Sequence, residues 1–370
     1  MLEVKIRERV AFVAMNPPNR YSGGRLYTMW LAYGFAANGF EVDFYTNCVP
    51  KFMESFPDDE STGRIQFHIN KNYLWKAENH QYKAVVMAPH LASRKSPVFD
   101  RFLFYPFARR LKRKNDCELW YIDFESPAWI EAIDKELRPF SAYKYSNKVL
   151  PNCDRIISIS NTGLKYAKLY YSRYNPNLAY NMIYPIVNMF AVGNTIIDNK
   201  ENSAVFIARF GQKHKNNESV FNMIKCLPEG FEFDIVGNKD AADPSFISEL
   251  MKKAQEKKIN LKFFKNITDE EKFNLFGKAK LMFFPSKFEG FGIPPLEAQY
   301  MGTSVICSDL EVLREVNKKA QFVDFSDLQQ LETAVDNILT NPPSPDELRK
   351  YVEEIASPKA LVKNVETIIK

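Results

Sequence analysis

Short unbroken apolar runs alternate along the chain with longer stretches whose apolar positions return at helical spacing. The short runs predict strands buried on both faces, and the longer stretches predict the helices that cover them. Residues 10–15 (VAFVAM), 41–46 (EVDFYT), 83–89 (KAVVMAP), 118–124 (ELWYIDF) and 154–160 (DRIISIS) are the strand candidates of the first half. A helix is expected to begin near Gly24, to carry Leu26, Met29, Trp30, Tyr33 and Phe35 on its apolar face, and to stop at Asn38-Gly39. Another is expected over 161–171, with Asn161 as its cap.

The series pauses in an Asn- and Pro-rich segment, 175–203, and then restarts. Strands are expected at 204–209, 231–237, 260–266, 281–286 and 304–309. Helices are expected at 218–227, 245–257, 268–279 and 294–302. Thr268 and Glu271 have the spacing of a capping box, and Gly302 stands where a helix would end. The tail, 344–370, reads as helix, break at Ser357-Pro358, helix. Strands alternating with helices predict an α/β fold of two Rossmann-like domains. The expected boundaries are 1–185, 200–350, and a last helix, 351–370, packed back on the first domain.

Composition narrows the picture further. The 370 residues are 45% apolar and 26% charged, as expected of a globular chain of about two domains. A net charge of +5 is too small to indicate a nucleic-acid partner. Five scattered cysteines, none in a CxxC pair, support neither a zinc site nor a disulfide framework, and point to a reducing, cytoplasmic setting. No signal peptide or membrane span is evident.

The stretch KFEGFGIPPLE, 287–297, carries the most chemistry. Glu289 and Glu297 flank a turn holding Gly290, Gly292, Pro294 and Pro295, directly after an apolar strand. The prolines suit the first turn of a helix, and that helix N-terminus suits a phosphate. Glu297, expected in the first helical turn, can accept from two neighbouring hydroxyls, as on a ribose, and Glu289 from a sugar hydroxyl. Taken alone, the two acids favour a plainer reading, in which Glu297 complements the helix dipole and Glu289 is solvated. Arg209 follows a buried strand and Lys215 lies in the loop after it. Two fixed cations there would stabilise the charge of a leaving diphosphate.

The second half resembles the retaining GT-B glycosyltransferases of the group 1 type, glycosyltransferase family 4. The likeness covers roughly 203–340 and rests on VFIARFGQKHKN, on FDIVGNKD, and on the long run from LKFFKNITDEE to DLEVLREV with its Glu289/Glu297 pair. It implies a GT-B fold, two domains facing across a cleft, and sugar transfer from a nucleotide-diphosphate donor to a glycan or lipid-linked acceptor. It implies catalytic roles for Glu289, Arg209 and Lys215, with Lys213 as the alternative lysine, and a ribose contact for Glu297. Phe291, Gly292 and Ile293 would lie along sugar and phosphate, Ile267 near the base, and Gly237 at a close approach. In the first half, Gly23 and Gly24 match the family's glycine pair, or form an ordinary entry to a helix.

The family often carries a histidine after the strand at 118–124; here Asp123 and Glu125 stand there, and Arg25 and His90 are further acceptor-side candidates. An acid-x-acid pair at a strand end also resembles the metal site of the other glycosyltransferase fold, GT-A. Here the paired cations already supply the charge a metal would, so no metal or other cofactor is expected. The basic–aromatic segment 101–115 (RFLFYPFARRLKRKN) fits an anionic membrane surface, which implies a peripheral place on the inner face of the cell membrane, or a packed helix with a solvated basic side. Other readings of the chain are a non-catalytic sugar-nucleotide-binding subunit and a sugar-nucleotide epimerase of the same fold.

Overall fold

The computed structural model describes residues 8–16, 23–72, 74–89, 104–133, 149–192 and 199–370. Two compact units divide the chain: Met1–Ile186 with Pro358–Lys370, and Val187–Ser357. The last helix, Pro358–Ile369, therefore belongs to the first unit, while Pro345–Ala356 stays in the second.

The first unit is built on seven parallel strands, β1 (Arg9–Val13), β2 (Glu41–Thr46), β3 (Ile65–Ile69), β4 (Tyr82–Met87), β5 (Glu118–Asp123), β6 (Arg155–Ser158) and β7 (Ala179–Met182), in the order β3-β2-β1-β4-β5-β6-β7. Val10 to Val13 are fully buried, as expected for a central strand covered on both faces. The helix Gly23–Ala37 is buried nearly all round. One side packs on the sheet, where Phe35 meets Phe12 edge-on. The other side is covered by Pro358–Ile369, to which Asn38 Nδ2 donates at Val362 O, 2.9 Å. A buried charge sits within the sheet: Asp43 accepts from the Arg9 guanidinium at 3.0–3.2 Å and from Tyr82 at 2.8 Å, and lies 2.7 Å from His68 Nε2.

The helix Tyr105–Asn115 buries Tyr105, Phe107, Ala108 and Leu111 in the core and turns Arg109, Arg110, Arg113 and Lys114 to solvent. Residues 101–103 of the basic–aromatic segment lie outside the described residues. The helix Asn161–Tyr171 is capped by Ser160, whose side chain accepts from Gly163 N, and not by Asn161. Ser160 has the extended backbone a cap requires, whereas Asn161 is already helical.

The second unit has six parallel strands, β8 (Glu201–Ile207), β9 (Glu232–Val236), β10 (Asn260–Phe264), β11 (Ala279–Phe284), β12 (Ser304–Ser308) and β13 (Gln321–Val323), in the order β10-β9-β8-β11-β12-β13. One face holds a core of Phe206, Phe233, Ile235, Leu281, Phe283 and Ile306. The expected capping box is present on the helix Asp269–Lys278, and Gly302 (φ +72°) follows the end of Ile293–Tyr300. Lys200 closes the far ends of those two helices, donating to Gly277 O, Met301 O and Thr303 Oγ1.

Candidate functional site

In the second unit the strand order reverses between β8 and β11, the place where parallel α/β sheets open a crevice beyond their carboxyl ends. The loops leaving these two strands carry the site. After β8, Gln212 N and Asn217 Nδ2 both donate to Arg209 O, at 3.1 and 3.0 Å, and Lys215 N donates to Gln212 O at 3.1 Å. These bonds curl the loop into the short 3-10 turn Lys213–Lys215. After β11, Lys287 N donates to His214 O at 2.7 Å and ties the second loop to the first.

That backbone tie brings Lys215 Nζ into an ion pair with Glu289 Oε1, with both side chains largely shielded from water. It is Lys215, not the exposed Lys213, that reaches the glutamate. His214 shows how closely the charges converge. Burial lowers its pKa first, Lys215 and Arg209 lower it further, and Glu289 opposes them. Arg209 itself stands exposed at the mouth of the loop. Shielding raises the strength of the Lys215–Glu289 pair over its value in water.

The glycine turn leads from this pair into the helix Ile293–Tyr300. Gly292 has φ +92°, and a Cβ there would stand 2.6 Å from Leu313 Cδ2. The residue is fixed as glycine by its backbone conformation and by packing behind the turn. Phe291 is buried, and Pro294 and Pro295 follow in the opening turn, where a missing N–H costs nothing. Because Ile293 is the first helical residue, Glu297 lies in the second turn, not the first as the spacing suggested. It is only 4% exposed.

Glu297 Oε1 accepts from Lys272 Nζ at 2.8 Å, and Lys272 also donates to Asp269 Oδ1 at 2.9 Å. Burial raises the pKa of Glu297, Lys272 pulls it down, and Asp269 pushes it up. Ile267, half-buried, precedes the helix that presents Lys272. The predicted second-unit residues thus gather around the Lys215–Glu289 pair, with Arg209 in the same loop, and around Glu297, whose partner Lys272 sits on the helix that Ile267 precedes. Lys272 and His214 were not anticipated. The Lys272–Glu297 pair spans 25 positions, and no local spacing signals it.

Gly237 follows β9, where its amide donates to Phe264 O at 2.8 Å. A Cβ there would come within 2.5 Å of Ala208 O. The close approach at this strand end is made by the chain's own backbone, one residue before Arg209.

In the first unit, Gly23 and Gly24 open the helix Gly23–Ala37, and Gly24 packs against the Phe124 ring, 3.2 Å from its Cβ position. Arg25 is buried and donates to Pro89 O at 3.3 Å, just past β4. Asp123, at the end of β5, turns inward: Tyr171 Oη donates to its Oδ1 at 2.6 Å. Burial raises its pKa to about 7 against the Tyr171 bond, with Glu125 adding to the rise. Glu125 is half-buried, and His90 lies outside the described residues. Among the described residues no group of three His, Cys, Asp or Glu is placed to hold a metal ion, and no helix is long and apolar enough to cross a membrane.

Residues 192–355 match the model of the family described as glycosyl transferases group 1. The O-antigen chain mannosyltransferase RfbU of Salmonella typhimurium is 30% identical over 174 residues, which cover 46% of this chain and 48% of that protein. The chain thus matches about half the length of this curated relative. Among solved structures, a sucrose-phosphate synthase from Thermosynechococcus elongatus superposes with a TM-score of 0.68 at 16% identity, covering 98% of each chain. The Anabaena protein HepE, solved with UDP and glucose, gives 0.63 at 11% identity, covering 98% of this chain and 99% of that one. These likenesses, with the two parallel sheets, show a two-domain Rossmann-like GT-B fold.

Proposed function

We propose that the protein is a group 1 glycosyltransferase that moves a hexose, on the RfbU likeness a mannose, from a nucleotide-diphosphate donor to a hydroxyl of a growing surface glycan or its lipid-linked precursor. The observation that carries the reading is the Lys215–Glu289 pair, held with Arg209 at the switch point of the second sheet. Arg209 and Lys215 bind the diphosphate and offset the negative charge that grows on it as the bond to the anomeric carbon breaks. No metal ion has to supply that charge. The N-terminus of Ile293–Tyr300, with Phe291 and Gly292 before it, adds backbone donors toward the phosphates and sugar. Glu289 orients the sugar, Glu297 accepts from the ribose hydroxyls, and Ile267 borders the base.

Family likeness supports retention at the anomeric carbon. In that course the acceptor oxygen forms its bond to carbon on the face the phosphate leaves, and the departing phosphate oxygen takes the acceptor's proton. Gly23 and Gly24 remain candidates for contact with the donor phosphates, and Arg25, Glu125 and His90 for the acceptor side. The exposed cations Arg109, Arg110, Arg113 and Lys114 suit an anionic lipid surface, at about 1 kcal/mol for each one that reaches it.

The test is transfer by the purified protein from a panel of nucleotide sugars to glycan and polyprenyl-linked acceptors. Glu289→Ala and Lys215→Met are expected to lower kcat by about a hundredfold or more, the scale of losing one transition-state donor. Product anomer, read by NMR, decides retention. Unimpaired transfer in both variants overturns the assignment.

A further inference from the structure

Glu297 poses a physical problem for the role just proposed, on which this inference rests. A carboxyl that clamps ribose hydroxyls works best ionised, since only the carboxylate accepts at both oxygens. Yet Glu297 is almost wholly buried, and burial favours its neutral form. Something close by must hold the charge. Lys272 is the group in place to do so: its Nζ lies 2.8 Å from Oε1, and its own side chain is only 13% exposed. Among the described residues no hydrogen bond reaches Oε2, which leaves that oxygen to a ligand.

The surroundings of Glu297 are otherwise poor in charge. The helix Asp269–Lys278 contributes Lys272 and Asp269, and the latter shares the lysine and opposes it electrostatically. The helix Pro345–Ala356 also packs against Ile293–Tyr300, but its Arg349 is taken by Tyr300 O and Asp346, and its Glu353 acts on Tyr300. From β11 and β12 the titratable groups are Lys280, bonded to Asn202, and the neutral Cys307. Lys272 thus faces Glu297, and Asp269 competes for it.

We propose that Lys272 is a positioning residue for nucleotide recognition: it keeps Glu297 ionised and fixes Oε1, so that the carboxylate meets the ribose ready to accept. Lys272 acts through Glu297 and touches neither the reacting carbon nor the leaving phosphate. The two effects separate by pH. Without the ammonium, burial and Asp269 act unopposed, so Glu297 keeps its proton to higher pH and the clamp returns as rising pH removes it. The loss is therefore greatest at the lowest pH and fades as pH rises. Removing the competing acid does the reverse, because Asp269 then no longer draws on Lys272.

The experiment is calorimetric titration of the full chain with UDP, GDP and ADP at pH 6, 7, 8 and 9, continued with whichever binds most tightly. Each variant is expressed as its Kd over that of the wild type at the same pH, which cancels titration of the nucleotide. Lys272→Met is expected to bind about tenfold more weakly at pH 6, a loss of about 1.4 kcal/mol, and to approach the wild type at pH 9. Lys272→Arg is expected to restore binding, and Asp269→Asn to leave it equal or tighter at pH 6.

A loss in Lys272→Met that is the same at every pH overturns the proposal, since it marks a structural role or direct contact. So does unchanged binding in Lys272→Met, when Glu297→Ala loses affinity. Unchanged binding in Glu297→Ala overturns the ribose clamp itself. Melting curves of each variant separate loss of fold from loss of the charge partner.

Discussion

Replacing Asp123 by Asn should make the first unit more stable at pH 8 and leave it nearly unchanged at pH 4. The carboxyl is 3% exposed, Tyr171 satisfies Oδ1, and no described residue bonds Oδ2. Burial raises its folded pKa to about 7 from the ordinary aspartate value of 3.8. The folded state then keeps a proton that the unfolded chain gives up, so unfolding releases a proton between those two values and stability falls as pH rises. The full gap of about three units corresponds to about 4 kcal/mol lost by pH 8, an upper figure because buried sites relax when charged. Asn cannot ionise, and its carbonyl can still accept from Tyr171, so its advantage at pH 8 should be ~2–4 kcal/mol.

The assay is urea unfolding followed by tryptophan fluorescence at pH 4, 6 and 8. All four tryptophans, Trp30, Trp75, Trp120 and Trp129, lie in the first unit, so the signal isolates it from the second. An advantage of Asn that does not grow with pH would refute the reasoning, as would a variant less stable than the wild type at pH 8.

Gly237→Ala should cost about 1–3 kcal/mol in the second unit and weaken nucleoside-diphosphate binding as well, because the new methyl displaces Ala208 O beside Arg209; circular dichroism on denaturation and titration of the nucleotide measure both. Asp43→Ala should destabilise the first unit by about 3 kcal/mol, since it strips one partner from Arg9, His68 and Tyr82 together, and tryptophan-detected unfolding reads it. Asp234, buried in β9 with a pKa raised to about 7 by burial, should give the second unit its own loss of stability as pH climbs from 4 to 7; Asp234→Asn should remove it in the circular dichroism transition.

Central strands such as β1, β8 and β11 were legible because burial on both faces demands unbroken apolar runs. Three of the four edge strands, β3, β7 and β13, were not. β3 mixes His68 and Gln66 among its apolar residues, β7 is the four residues Ala179–Met182, and β13 is three residues long. Such strands meet the sheet on one side only, so little in their sequence distinguishes them from loop. Local chemistry was legible where it acts locally. The Thr268/Glu271 box and the Gly302 stop needed no tertiary knowledge, while the cap at Ser160 and the helix start at Ile293 each fell one residue from the expected place. The site divided in the same way. Arg209, Lys215 and Glu289 lie in the loops after β8 and β11 and Glu297 in the helix that follows, and all four were singled out by position. Gly237 was found too, but its reason lies in Ala208 across the sheet. Lys272 looked like any polar residue of an amphipathic helix until the fold set it against Glu297.

The central claim is that the loops after β8 and β11 hold a diphosphate with Arg209 and Lys215. Its most direct test is calorimetric titration of the full chain with a nucleoside diphosphate and with the matching nucleoside, in the wild type and in Arg209→Met/Lys215→Met. The account predicts that the double variant loses the diphosphate's affinity by about a hundredfold, at about 1.4 kcal/mol per factor of ten, and leaves the nucleoside's affinity as it was. Equal affinity for the diphosphate in both proteins would contradict it.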